Sequence, residues 1–315
     1  MEAAAVAWAR EVLAPDRATW NRTRPWAEVW RLDTADDRYW LKINFRRTVY
    51  EPRLLELLHR SGAELLPRCI AHGSQPWVLI RDAGQSAREA FADVEPARRI
   101  AFWCRVLAEY AELQRAAGHL DLTAVGVPDF SAAQLLARFD EVLAEPGWLT
   151  PELAPELDAD RFERIRACRP LLADAARRLA DGLTPTVQHD DLHDGNVFTR
   201  DGRTMLIDWG DAMLAHPFGT LLVTLRVLAA QLDVDRDDPQ LRPVIDAYLE
   251  VWRTGGESAD ELQRQLDLAL RTGTLGRAAG WQRALGDPEV AVEHDFGDAV
   301  AYWLLQLADA LTESG

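Results

Sequence analysis

The chain has 315 residues, 48% of them hydrophobic, which is enough for a sizeable core and for two lobes. Asp and Glu number 51 against 35 Lys and Arg, and the net charge of −16 argues against a nucleic-acid partner, whose phosphates would be repelled. The same charge would attract a cationic small molecule. The three cysteines lack the spacing of a zinc site or a disulfide framework, and no apolar run reaches the roughly 20 residues of a membrane span.

The first residues, MEAAAVAWAREVLAP, are typical of an amphipathic helix rather than a signal peptide, so a cytoplasmic location is expected. Residues 26–43 predict a hairpin, since aromatic and β-branched residues surround an acidic turn at 33–37. Lys42 lies in its second strand, where a half-exposed edge lysine is one interpretation. A helix is predicted from Glu51, because Pro52 suits a first turn and leucines follow at helical spacing.

Further along, residues 77–80 are an apolar strand, and a break is predicted near 82–86, where Gly84 and Ser86 stand. After this break the pattern turns helical. Helices are predicted over residues 97–117, 131–144, 158–181, 219–232, 241–254, 257–272 and 296–312.

The segment from His189 to Asp211 reads HDDLHDGNVFTRDGRTMLIDWGD and carries the chemistry. The Asp-Gly pair at 201–202 lies between two short apolar runs, which predicts a hairpin. This hairpin would bring Asn196, before its first strand, beside Asp208, after its second. Oxygen donors of this kind, together with substrate phosphates and water, make a sufficient Mg²⁺ site.

Asp191 lies on the same loop as Asn196, beside the predicted metal site. We expect it to accept or orient the proton of an attacking hydroxyl, because phosphoryl transfer needs mainly positioning and charge neutralisation from the protein. His189 is expected to brace the loop by hydrogen bonding to backbone. The alternative is an acidic surface hairpin with solvated carboxylates, but the ordered combination of residues is far more restrictive than any lone charge.

At these residues the chain resembles the aminoglycoside phosphotransferase family, the small-molecule branch of the protein-kinase-like fold, which includes choline kinases. HDDLHDGN is similar to the family's catalytic loop, usually HGDLHPGN, and IDWGD to its metal-binding segment. The chain departs from the pattern at Asp190, where Gly is usual, and at Asp194, where Pro is usual. Both add negative charge beside a phosphate site.

The resemblance implies an α+β, bilobal kinase-like fold, with a small antiparallel-sheet lobe over residues 1–84 and a larger, mostly helical lobe over 85–315. It makes Asp191 the catalytic base and Asn196 and Asp208 the Mg²⁺ ligands. It also places His193 beside the transferred phosphoryl group.

For the nucleotide, ATP or GTP, the resemblance pairs Lys42 with Glu51 at the phosphates; Glu56 is a second candidate partner. A phosphate-covering loop is expected within residues 21–30, where Arg24, and also Arg22, would contact phosphate. Late helices would wall the acceptor pocket, with Trp281, His294 and Asp295 as candidates to line it, although a Trp in a helical lobe is more often core.

The function expected is transfer of the γ-phosphoryl group of a nucleotide to a hydroxyl of a cationic small molecule such as an aminoglycoside or related antibiotic. Two alternatives stay open. The acceptor is a metabolite of the choline, amino-sugar or sugar type, or the chain is a pseudokinase that binds nucleotide without turnover. The oligomeric state is not indicated by the sequence.

Overall fold

The structure is a computed structural model that describes residues 2–62, 64–253 and 256–313. It is a mixed α+β fold with an antiparallel-sheet N-terminal lobe and a helical C-terminal lobe, which confirms the expected fold class. The strands are β1 (Arg17–Arg24), β2 (Ala27–Asp33), β3 (Arg38–Asn44), β4 (Cys69–Ala71), β5 (Trp77–Arg81), β6 (Gln85–Ser86), β7 (Asp129–Phe130), β8 (Thr186–Gln188), β9 (Val197–Arg200), β10 (Arg203–Leu206) and β11 (Met213–Ala215).

The helices surround these strands, and most of them follow β6 in the chain. They are α1 (Glu2–Leu13), α2 (Glu51–Arg60), α3 (Ala87–Ala90), α4 (Pro96–Ala117), α5 (Leu135–Leu143), α6 (Ala159–Ala167), α7 (Arg169–Ala180), α8 (Leu221–Leu232), α9 (Arg242–Glu250), α10 (Ala259–Leu285), α11 (Pro288–Glu293) and α12 (Ala299–Thr312). Among the helices in the described ranges, none is long and apolar enough to cross a membrane.

The N-terminal sheet has the order β1-β2-β3-β5-β4, and every neighbouring pair is antiparallel. Successive side chains of a strand point to opposite faces. On β3, Leu41 and Ile43 therefore join a small core under α1, whereas Lys42 between them faces the other side. That side meets α2, whose first residue is Glu51. Strand alternation and helix position together bring the lysine to the glutamate.

The first strand was not predicted. A phosphate-covering loop was expected within residues 21–30, and the connection found there is a turn of only two residues, since β1 continues to Arg24 and β2 starts at Ala27. β1 is mostly exposed and polar at the edge of the sheet, and its ladder with β2 contains an irregularity between Trp20 and Arg22. An exposed edge strand needs no apolar alternation, which explains why the pattern was missed.

In the C-terminal lobe, α10 packs against α12, α5 and α7 and forms one wall of the cleft between the lobes. It was expected to end at residue 272, but it continues to Leu285. The added length contains Gly273, Gly276 and Gly280, whose low helix propensity is overridden here by tertiary packing. The helix predicted over 158–181 is in fact α6 and α7, which are divided at Cys168.

The predicted hairpin at 197–207 is present as β9 and β10, joined through Asp201 and Gly202, both at positive φ. β9 also pairs with β6, so the segment after β5 leaves the N-terminal sheet and joins the hairpin. Gly84 precedes this pairing at φ +91, where an added Cβ would lie 2.3 Å from the carbonyl oxygen of Thr199. The division into lobes at residue 84 stays a prediction.

Candidate active site

The loop 189–196 leaves the buried strand β8 and is held in place by several hydrogen bonds between side chains and backbone groups. Tyr110 on α4 accepts a hydrogen bond from the backbone N–H of His189 (2.8 Å). The His189 ring is fully buried and its Nε2 lies 2.9 Å from the carbonyl oxygen of Ile207. Burial lowers the pKa of His189, so the ring is neutral and serves the bracing role expected of it.

Both oxygens of the Asp191 carboxylate are contacted by other side chains. Asn196 donates from its amide nitrogen to the Asp191 carbonyl (2.9 Å) and to its Oδ2 (3.3 Å). His193 Nε2 lies 3.4 Å from the same Oδ2, while Arg277 Nη2 lies 3.3 Å from Oδ1. The predicted base is therefore held in one orientation, and the Asn196 amide oxygen is left as a donor for a cation.

The hairpin returns the chain so that Asp208, at φ +65, follows β10 and faces Lys42. Lys42 Nζ lies 2.5 Å from Asp208 Oδ1 and 2.6 Å from Glu51 Oε2. Glu51 is fully buried and its other oxygen accepts the backbone N–H of Trp209 at 2.8 Å. The structure thus pairs Lys42 with Glu51; Glu56, the second candidate, instead lies 4.0 Å from Arg60.

These contacts set the charge state of the cleft. Burial opposes ionisation of both Lys42 and Asp208, but their ion pair outweighs it, which raises the pKa of the lysine and lowers that of the carboxyl. Burial would likewise raise the pKa of Asp191, but Arg277 and His193 overcome it and hold the pKa below its ordinary value. Asp211 differs, because burial outweighs Arg277 and raises its pKa to about 7.

A cavity of about 270 Å³ lies beside these groups, between the two lobes. It is lined by Trp26, Thr48, Asp191, His193, Asp208, Gly210, Asp211, Arg277, Gly280, Trp281 and Ala284. Trp26 comes from the β1–β2 turn and Trp281 from α10, and their rings meet edge to face with centroids 6.3 Å apart. The cavity therefore joins the predicted base to a partly aromatic wall formed by both lobes.

Of the remaining predicted residues, one lines this cavity and the others lie apart from it. Trp281 lines it as expected, but His294 and Asp295 are exposed and are not among its lining residues. Arg24 is exposed at the end of β1, and its phosphate contact stays a prediction. Arg22, also exposed, adds a small lowering of the pKa of Asp208.

The two departures in the catalytic loop, Asp190 and Asp194, are each paired with an arginine. Asp190 is buried at φ +64 and accepts hydrogen bonds from Gln188 (2.7 Å) and Arg277. Asp194 is paired with Arg88 at 2.8 Å and accepts from Gln231 at 2.6 Å. Each carboxylate has a partner from a distant element, which the sequence pattern does not reveal.

Asp211, Trp26 and Arg277 line the cavity but were given no role by the sequence analysis. Asp211 closes the segment IDWGD and could have been found from its position three residues after Asp208. Trp26 was assigned to the hairpin without a role. Arg277 gave no local signal, since it lies beyond the predicted end of its helix and reaches the loop only through tertiary packing.

Comparisons with known proteins bear on this architecture. The sequence profile of the phosphotransferase enzyme family, APH, matches residues 20–262. No curated protein sequence gives a significant match.

Solved structures of the same fold are named for different small-molecule substrates. One is the GDP and kanamycin complex of APH(2")-IIia, with a TM-score of 0.58, 14% identity, and coverage of 98% of this chain and 100% of that chain. Macrolide 2'-phosphotransferase MphH from Brachybacterium faecium has a TM-score of 0.59 and 20% identity, and the match covers 95% of this chain and 98% of that chain. Choline kinase LicA from Streptococcus pneumoniae has a TM-score of 0.63 and 14% identity, and the match covers 99% of each chain.

The profile match defines the class of protein, a phosphotransferase, and the kinase-like fold agrees with it. Within that class, the chain belongs to the phosphotransferase enzyme family, APH, whose profile spans more than half of its length.

Proposed function

We propose that this protein transfers the γ-phosphoryl group of ATP or GTP to a hydroxyl of a small cationic molecule. The observation that carries the proposal is the cavity in which Asp191 and Asp208 meet an aromatic wall, next to the Lys42–Glu51 pair. Asp191 would orient the acceptor hydroxyl and take its proton, at an oxygen that other side chains already hold in place. Lys42 would hold the nucleotide phosphates, and His193 would lie beside the transferred group.

The donor set fits a divalent cation. The Asn196 amide nitrogen is engaged by Asp191, which leaves its oxygen as a ligand, and the Asp208 side chain is about one-third exposed (32%). Both are hard oxygen donors of the kind that Mg²⁺ accepts alongside water and phosphate. Bound there, Mg²⁺ would neutralise phosphate charge and help to align the phosphates.

The acceptor is proposed to be cationic because Asp211 and two tryptophans line the cavity. A carboxylate beside aromatic faces suits an ammonium group. The volume of about 270 Å³ lies just below the usual range for ligand sites, about 300–1,000 Å³. It therefore also favours the metabolite alternative, in which a small amino alcohol enters whole, whereas an aminoglycoside would insert one ring. An antibiotic acceptor would make the role one of resistance, and a nucleotide donor supports the cytoplasmic location.

The test is nucleotide consumption in the presence of Mg²⁺, measured with ATP and with GTP against kanamycin, gentamicin, a macrolide, choline and ethanolamine. We expect turnover with at least one acceptor that Asp191→Ala and Asp208→Ala both abolish. The matched control is Asp237→Ala, which removes an exposed carboxylate that does not line the cavity, and it should keep full turnover. Nucleotide binding without turnover for every acceptor would favour the pseudokinase alternative.

A further inference from the structure

Arg277 is a buried cation in the cleft that connects four groups of the active site. It lies on α10 and is only 8% exposed. Nη1 donates to the carbonyl oxygen of Asp190 (2.9 Å) and lies 3.4 Å from its carboxylate and 3.6 Å from that of Asp211. Nη2 lies 3.3 Å from Oδ1 of Asp191. One guanidinium thus holds both the backbone of the catalytic loop and the side chain of the predicted base.

We propose that Arg277 is the positioning residue for Asp191: its guanidinium docks the loop on α10 and fixes the carboxylate at Oδ1, while Asn196 fixes it at Oδ2. This inference rests on the proposed function, in which Asp191 receives the proton of the acceptor. The planar guanidinium suits this task, because its donors are rigidly spaced and can engage two acceptors at once.

The surface of α10 is shaped for this close docking. Gly276 precedes Arg277, and Gly280 follows it by three residues. A Cβ at either glycine would lie 3.7 Å from a carboxylate oxygen of Asp190, so both helix positions are in direct contact with the loop. A larger side chain at either site would push the loop away from the helix. The part of α10 that places Arg277 next to Asp191 therefore has no side chain at the glycine on either side of the arginine.

A competing explanation is that Arg277 only neutralises Asp190, which is 2% exposed and would otherwise be a buried charge with little compensation. The two explanations differ in what happens when Asp190 is removed. If Arg277 only neutralises Asp190, its removal should no longer lower kcat once Asp190 is absent. A positioning arginine is still needed, because its contacts with Asp191 and with the backbone of residue 190 remain.

The experiment uses the full chain and the panel acceptor with the highest wild-type turnover. The variants are Arg277→Met, Asp190→Gly and the double variant, and Gly is compatible with the positive φ of residue 190. We expect Arg277→Met to lower kcat by about 100-fold, the size of loss that an ångström of misplacement can cause. The KM for the nucleotide should change little, because Arg277 contacts no predicted phosphate ligand.

The decisive result is the kcat of the double variant. If Arg277 positions Asp191, the double variant keeps a loss as large as that of Arg277→Met; recovery to the kcat of Asp190→Gly would overturn the inference. The double variant also lacks the uncompensated Asp190 charge, so it remains informative if Arg277→Met does not fold.

Two further variants separate positioning from general stability. Arg283→Met removes another arginine of α10 that lies near Asp190 but makes no contact with Asp191, and it should retain far more kcat. Arg277→Ala should regain part of its kcat with millimolar guanidinium but not with urea, and equal effects of both solutes would count against the proposal. If the Asp191→Ala variant turned over as fast as the wild type, the proposed function would be wrong, and this inference with it.

Discussion

Removal of Lys42 should destabilise the folded protein strongly, because the lysine is the main compensation for a buried carboxylate. Glu51 is fully buried, and Lys42 is 8% exposed. At 2.6 Å, and with an effective dielectric constant of about 20, their attraction is about 6 kcal/mol. Desolvation of the two groups offsets much of this. Breaking a buried pair by removing one partner typically costs about 3–5 kcal/mol, which we expect for Lys42→Met.

The assay is urea unfolding near neutral pH without nucleotide or Mg²⁺, comparing Lys42→Met, Glu51→Gln and the double variant. The double variant should recover about 2 kcal/mol relative to Lys42→Met, since Gln carries no charge and can still accept the backbone N–H of Trp209. A matched surface control is Arg60→Met, which removes an exposed cation. A loss below about 1 kcal/mol for Lys42→Met would refute the reasoning, because exposed pairs cost no more than that.

Three further predictions concern the acceptor, the metal and acid stability. Asp211→Asn should raise the KM of cationic acceptors about 10- to 100-fold, the value of a charged hydrogen bond, without a similar rise for the nucleotide; an equal rise for an uncharged acceptor would contradict this. Chelation by EDTA should abolish turnover and added Mg²⁺ should restore it, whereas Asp208→Asn should require more Mg²⁺; turnover that persists in EDTA would exclude the proposed metal role. Burial lowers the pKa of His216 to about 4, so its contribution to stability is complete above pH 6.5 and is lost as pH falls towards 4, by about 3 kcal/mol in total. Urea titrations from pH 7 to 5 should therefore show a smaller loss for His216→Asn than for the wild type.

The elements that local sequence predicted best are those whose signals lie within a few residues. The Asp-Gly turn fixes the β9–β10 hairpin, and strand alternation separates Lys42 from Leu41 and Ile43. The same locality explains the failures. β1 is a polar edge strand whose partner alone defines it, and the glycines of α10 are stabilised by packing that no window of sequence contains.

The residues of the candidate site also differ in whether the sequence around them predicts their place in it. Asp191, Asn196 and Asp208 lie within eighteen residues of one another, so their spacing could be interpreted directly. Arg277 is 86 residues from Asp191 in the chain, and it is one of many arginines on helices. Its proposed role depends on the packing of α10 against the catalytic loop, which is a property of the tertiary fold. Sequence therefore reveals the groups proposed to act on substrates better than the groups that hold them.

The charge balance of the cleft connects the proposed metal, nucleotide and acceptor. Six carboxylates are offset by four side-chain cations: Glu51, Asp190, Asp191, Asp194, Asp208 and Asp211 against Lys42, Arg88, Arg277 and Arg283. Asp211 is only partly ionised near neutral pH, since burial raises its pKa to about 7. The excess of negative charge before any substrate binds is therefore between one and two charges, and a nucleotide alone would add more. A divalent cation compensates for this excess, which is why we expect the nucleotide to bind as its Mg²⁺ complex. The same excess would favour an ammonium group in the acceptor, so one feature of the cleft supports both parts of the proposed function.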